Sequence, residues 1–177
     1  VSGDFNSDGT TDLVVGASQY STSTGRIYFY ATRGNYAWQL QPLSSSVRTS
    51  MQGAGQELQI TGQASSRFGN ALASGDFNAD GKTDLAVGAS GYSTNTGRAY
   101  IFYNDGSYTA GASSADVVIT GETTSNYFGS SLASGDYNAD GKTDLAVGAS
   151  GYSSSGRVYI FYNDGSIPTT AGTADVI

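Results

Sequence analysis

The segment Asp76-Phe77-Asn78-Ala79-Asp80-Gly81-Lys82-Thr83-Asp84 occurs in three versions along this chain. An earlier version runs from Asp4 through Asn6, Asp8 and Gly9 to Asp12, and a later one from Asp136 through Asn138, Asp140 and Gly141 to Asp144. Each is followed at once by an apolar run ending in Gly-Ala-Ser: Leu13 to Ser18, Leu85 to Ser90 and Leu145 to Ser150. The starts at Asp4, Asp76 and Asp136 lie 72 (76 − 4) and 60 (136 − 76) residues apart. Periods this long mean stacked supersecondary units, each too small to bury its own apolar face.

Within each segment, positions 1, 3, 5 and 9 carry side-chain oxygens and position 6 is glycine. Ca²⁺ takes six to eight hard oxygen ligands, and a tight loop turned by glycine supplies them from alternate residues. The candidate ligands are therefore Asp4, Asn6, Asp8, Thr10 and Asp12 in the first loop. In the second they are Asp76, Asn78, Asp80, Lys82 and Asp84, and in the third Asp136, Asn138, Asp140, Lys142 and Asp144. Thr10, Lys82 and Lys142 stand at position 7, where the donor is the main-chain carbonyl. A lysine is tolerated there if its side chain points away. A single Asp-Asn-Asp-Gly cluster is often only a hairpin turn; three copies in phase favour metal, about one Ca²⁺ per loop and three in all. An EF-hand would need a bidentate Glu at position 12. That position holds Val15, Val87 or Val147, inside the next apolar run, so the loop joins strands. The ion is expected to act as a structural clip.

Charge agrees with that demand. The chain has 15 acidic and 8 basic residues, a formal net charge of −7, and nine of its acids are the loop aspartates. Three Ca²⁺ ions would bring the net to about −1. No basic stripe exists to neutralise phosphates, so nucleic acid is excluded as a partner. No apolar run approaches the roughly 20 residues of a membrane span. With no His and no Cys, the usual nucleophile–base pairs and disulfide staples are absent. The repeated carboxylates are committed to metal, and a saturated Ca²⁺ site is a poor hydrolytic centre. The segment therefore reads as non-catalytic.

The composition, with 25 Gly and 13 Tyr, fits tight turns and tyrosine-rich strands of an all-β protein. Each repeat gives four strand signals. In the second repeat these are Phe68 to Phe77, Asp84 to Ala89, Arg98 to Tyr103 and Asp116 to Thr120, with Asn104-Asp105-Gly106 as a turn. Four short strands in about 60 residues, repeated, is the pattern of β-propeller blades. The expected blades span residues 1–62, 63–121 and 122–177. The first has a truncated first strand and an insertion over about residues 33–56, which holds Trp38 and Met51. That insertion breaks the repeat and is the best candidate for specific recognition, with covering a neighbouring blade as the alternative. Arg26, Arg98 and Arg157 recur after glycine, as blade-to-blade scaffolding or an anion site. Tyr20, Tyr92 and Tyr152 recur as edge packing or a glycan platform. Three blades do not close a ring, so a fragment of a larger ring, or one completed by another chain, is expected.

Phe68-Gly69 and Phe128-Gly129, the three loops, and Gly16-Ala17, Gly88-Ala89 and Gly148-Ala149 together resemble the FG-GAP repeats of integrin α-subunit propellers and of many secreted bacterial proteins. The resemblance covers almost the whole chain. It departs in the first repeat, which has no Phe-Gly, and at loop position 3, which is Asn where the family often has Asp. It implies a seven-bladed propeller, Ca²⁺ in the loops between first and second strands, an extracellular or cell-surface setting, and roles in adhesion. Three functions follow as expectations. One is a calcium-binding recognition or adhesion module for a protein or glycan ligand. Another is a structural subunit of a surface filament or layer, built by strand complementation. The last is a non-catalytic docking part of a larger secreted hydrolase.

Overall fold

The computed structural model describes residues 1–32, 40–41, 58–106, 108 and 111–177. Most of the Trp38 insertion lies outside the described residues. The first sheet contains β1 (Ser2–Gly3), β2 (Asp12–Ala17), β3 (Arg26–Thr32), β4 (Leu40–Gln41) and β5 (Leu58–Thr61), with both β4 and β5 paired to β3. The second holds β6 (Leu72–Gly75), β7 (Asp84–Ala89), β8 (Arg98–Phe102) and β9 (Val117–Thr120) in that order. The third holds β10 (Phe128–Gly135), β11 (Asp144–Ala149) and β12 (Arg157–Phe161), and a bridge from Ile160 to Val176 begins its fourth strand. All named strand pairs are antiparallel. The expected all-β architecture of propeller blades is what the chain adopts.

The core lies between the sheets. One cluster joins Val14, Ile27, Phe29 and Ile60 of the first sheet to Leu85, Val87, Tyr100 and Phe102 of the second. The next joins Ala86, Ala99, Ile101 and Ile119 of the second to Leu145, Val147, Tyr159 and Phe161 of the third. Alternate residues of one strand thus feed two different cores. The middle strand β7 is buried at all six positions, as a strand covered on both faces must be. In β2, with the same apolar sequence type, Leu13 and Val15 are 39% and 41% exposed because no sheet covers that side.

The Phe-Gly segments hold neighbouring sheets together. Phe68 donates its N–H to Thr24 O of the first sheet at 3.3 Å, and Phe128 donates to Thr96 O of the second at 3.2 Å. Their rings pack the other way, edge-on to the third strand of their own sheet: Phe68 against Tyr100 at 5.5 Å and Phe128 against Tyr159 at 5.3 Å. This division shortens the expected first strand. Regular pairing covers only Leu72–Gly75 in the second repeat, and β10 carries a bulge between Phe128 and Ser131. Glycine is required beneath the plug: a Cβ on Gly97, whose φ is +84°, would overlap Phe128 O and N.

The recurrent arginines, expected as blade-to-blade scaffolding, instead brace their own sheets at Arg26 and Arg98. Arg26, Arg98 and Arg157 lie 3.8, 3.6 and 3.5 Å from the ring centres of Tyr20, Tyr92 and Tyr152. Arg26 and Arg98 also donate through Nε to Thr61 and Thr120 of the fourth strand. The Arg26 and Arg98 guanidinium groups thus tie the turn after the second strand to the fourth, with the cation held over an aromatic face, while Arg157 lies 3.5 Å from Glu122 Oε2 instead.

Gly97→Ala tests the plug directly. It combines the cost of a left-handed L-residue with overlap on the next sheet, and should lose about 2–5 kcal/mol. Gly165, with φ +117° and open space at its Cβ, incurs only the conformational term, so Gly165→Ala should lose about 1–2 kcal/mol. Urea unfolding of the two variants measures the difference.

Candidate metal centre

Each loop folds around its own carboxylates. In the second, the Asp80 N–H donates to Asp76 Oδ1 and to Asn78 Oδ1, both at 3.0 Å. Gly81 N–H reaches Asp76 Oδ2 at 2.8 Å, and Lys82 N–H reaches Asp80 Oδ1 at 2.9 Å. The first loop repeats this framework with Asp8 N–H on Asp4 Oδ1 and Asn6 Oδ1, Gly9 on Asp4, and Thr10 on Asp8. The third does so with Asp140 N–H on Asp136 Oδ1 and Asn138 Oδ1, Gly141 on Asp136, and Lys142 on Asp140. One oxygen of position 1 and one of position 3 therefore share the N–H of position 5 in every copy. Two left-handed residues bend the loop so tightly. Position 6 is glycine, and position 4 is Ser7, Ala79 or Ala139 with φ of 56°, 59° and 62°. A left-handed alanine is uncommon and costs energy that the surrounding bonds must offset.

Position 9 forms the floor. Asp84 is fully buried; its Oδ2 accepts Phe77 N–H and its Oδ1 accepts Asn104 N–H, both at 2.8 Å. Asp144 does the same for Tyr137 and Asn163, and Asp12 accepts Phe5 N–H. Burial pushes the Asp84 carboxyl up to about 6; the Asn104 and Phe77 N–H groups oppose the rise, and the charges of Asp80 and Asp76 add to it. The second loop thus concentrates negative charge over a buried acid. A divalent cation answers that need, because each carboxylate oxygen has a lone pair left after accepting one N–H. Among the described residues, no three carboxylates gather closely enough to hold a metal by themselves. A centre here would have to draw on the Asn amide oxygens and main-chain carbonyls as well, a mixed hard-oxygen set of the kind that Ca²⁺ takes.

The structure also joins the first and second loops to the next sheet. Asn104 Nδ2 donates to Asp4 O at 3.3 Å, and Asn163 Nδ2 donates to Asp76 O at 3.4 Å. Both asparagines are buried, at 2% and 3% exposure. Sequence reasoning took Asn104-Asp105-Gly106 only as a turn and missed this role. The signal was present: Asn104 and Asn163 follow the last loop aspartate by 20 and 19 residues. Lys82 is a second correction. Its side chain does not point away but folds over the loop, with Nζ donating to Asn104 O at 3.1 Å and lying 3.7 Å from Asp80 Oδ2. A cation already beside Asp80 lowers the repulsion there.

Comparison with known proteins fits this geometry. The FG-GAP repeat model matches residues 1–30, 68–102 and 128–161, more than half of the chain. The chain belongs to the FG-GAP repeat family. Integrin alpha-M of Mus musculus is 36% identical to it over 157 residues, covering 84% of this chain and 12% of the integrin. Phosphatidylinositol-glycan-specific phospholipase D of Rattus norvegicus is 37% identical over 154 residues, covering 82% of this chain and 17% of that protein. Integrin alpha-6 of Gallus gallus is 34% identical over 155 residues. This FG-GAP chain spans less than a fifth of each of these relatives. Among the described residues, no helix is long and apolar enough to cross a membrane.

Asp84→Asn would set an amide NH₂ against one of two buried N–H donors. In chelator, urea unfolding should register a loss of about 1–3 kcal/mol. Asp80→Asn, at an exposed site where an acceptor oxygen is kept, should stay within about 0.5 kcal/mol.

Proposed function

We propose that this chain is a calcium-stabilised segment of an extracellular FG-GAP β-propeller that serves recognition or adhesion. The observation that carries the calcium reading is the identical loop framework in three repeats, in which the position 1 and position 3 oxygens are held side by side on the position 5 N–H. The ligand sets are those read from the sequence, Asp4 to Asp12, Asp76 to Asp84 and Asp136 to Asp144, with one ion each. The blades take residues 1–62, 63–121 and 122–177. Further blades, from the same or another chain, cover the exposed faces at Leu13 and Val15 and at Val158. A protein or glycan is met by the loops, since blades of one fold differ there and not in their strands.

The chemistry of the segment is binding, not catalysis. With no His and no Cys, its recurring carboxylates are tied to backbone N–H groups and suited to a cation. Similarity to a phosphatidylinositol-glycan-specific phospholipase D over 82% of this chain supports a second reading, in which the blades are the non-catalytic docking part of a larger secreted hydrolase. Both readings place the segment outside the cell, where calcium is abundant enough for modules with dissociation constants of about 10⁻⁴ to 10⁻³ M.

Thermal unfolding with and without calcium tests the metal. At 100 times the dissociation constant, each ion adds about 2.7 kcal/mol, on the order of 5–10 °C for a domain of this size. Calcium should therefore raise the melting temperature and a chelator should reverse it. Coincident melting curves would overturn the calcium assignment.

A further inference from the structure

The two Phe-Gly plugs sit in equivalent sockets on the sheet before them. Arg67 and Phe68 donate their N–H groups to Ser23 O and Thr24 O at 2.7 and 3.3 Å; Tyr127 and Phe128 donate to Asn95 O and Thr96 O at 2.8 and 3.2 Å. Both plugs share one backbone shape. The residue before Phe is left-handed, with φ of 55° at Arg67 and 53° at Tyr127, and the glycine after it has φ of 84° or 81°. Both sockets are built from two glycines. A Cβ on Gly25 or Gly97 would overlap the Phe backbone, and one on Gly16 or Gly88 would overlap O of Gly69 or Gly129.

The third sheet carries the same two glycines. Gly148 and Gly156, with Ser155, Arg157 and Val158, line an open cavity of about 380 Å³. A Cβ on Gly156 would meet nothing closer than 3.6 Å, and one on Gly148 would overlap only the Ser131 hydroxyl, a side-chain end that can rotate aside. Val158 is 55% exposed, while its counterparts Ile27 and Ala99 are fully buried under the next sheet. The rim differs in two respects: four residues separate Tyr152 from Arg157, against five between Tyr92 and Arg98, and only Ser153 is left-handed where Ser93, Thr94 and Asn95 all are. Counting back from the glycine, Ser155 takes the place of Thr24 and Thr96 and lines the cavity.

We propose that this cavity is a docking site for a Phe-Gly segment of another FG-GAP repeat. It takes the segment in the left-handed, Phe, left-handed Gly conformation, with the Phe N–H paired to Ser155 O. The proposal rests on the propeller-segment reading and names what that segment receives. A second copy of this chain does not supply the plug, because both of its Phe-Gly dipeptides are buried in their own sockets.

A synthetic peptide with the sequence of residues 124–131, Thr-Ser-Asn-Tyr-Phe-Gly-Ser-Ser, is titrated into the calcium-loaded chain while amide chemical shifts are followed. Saturable shifts confined to residues 153–158 are expected, at least tenfold weaker binding for the peptide with Phe replaced by Ala, and loss of binding in Val158→Glu. Equal binding of both peptides, or no shift at residues 153–158 in a spectrum with all three sheets dispersed, overturns the docking site and leaves the propeller reading standing. Concentration-dependent shifts at residues 153–158 without peptide overturn it in favour of a second copy. A spectrum without dispersed sheet signals overturns the propeller reading and this proposal together.

Discussion

A phenylalanine whose amide is bonded to one sheet and whose ring is packed on the next is the contact on which the molecule depends. Phe68 and Phe128 each spend their N–H on the preceding sheet and their ring on their own. No sheet here could be stable alone, since a few short strands with two apolar faces bury neither. The Phe-Gly insertion brings two such faces to packing distance and fixes their register. The glycines follow from it. Gly25 and Gly97 lie under the Phe backbone, and Gly16 and Gly88 under the Phe-Gly carbonyl. The Phe-Gly and Gly-Ala dipeptides that mark the family are thus the two sides of one joint.

The loops solve a different problem, which is charge. Four oxygen-bearing side chains fall within nine residues, and the last is buried. Backbone N–H groups turned inward by the left-handed residues at positions 4 and 6 carry part of the burden. In the second repeat Lys82 adds a cation beside Asp80. A bound divalent ion would do so far more strongly. Asn104 and Asn163 connect this chemistry to the joint, because each bonds a loop carbonyl of the preceding sheet while its own N–H rests on the buried aspartate. Packing of sheets and order of loops are therefore mechanically linked.

Much of this was legible from the residues. The strands β7, β8 and β9 were read to within one residue, because continuous apolar or aromatic runs bounded by glycine leave little choice. The first strand was read too long. Phe68 looks like a strand residue, and nothing local says that its N–H is spent on Thr24 of another sheet. The loop positions follow from spacing alone, and the oxygens of Asp76, Asn78 and Asp80 accept N–H groups of their own loop. What spacing did not reveal were the long-range partners: Asn104 with Asp4, and Lys82 with Asn104. Exposure was equally hidden, since Val15 and Val87 occupy the same repeat position and differ only in whether a sheet covers them.

Native-state hydrogen exchange at the Phe68 and Phe128 amides measures the joint most directly. These amides are not part of a regular ladder within their own sheets. If their seating holds the sheets as one unit, they should exchange only on global opening, with the same opening free energy as the strand amides of β7. Fast exchange at Phe68 and Phe128 while β7 stays protected would contradict this, and would mean that the sheets fold and open independently of the Phe-Gly contact.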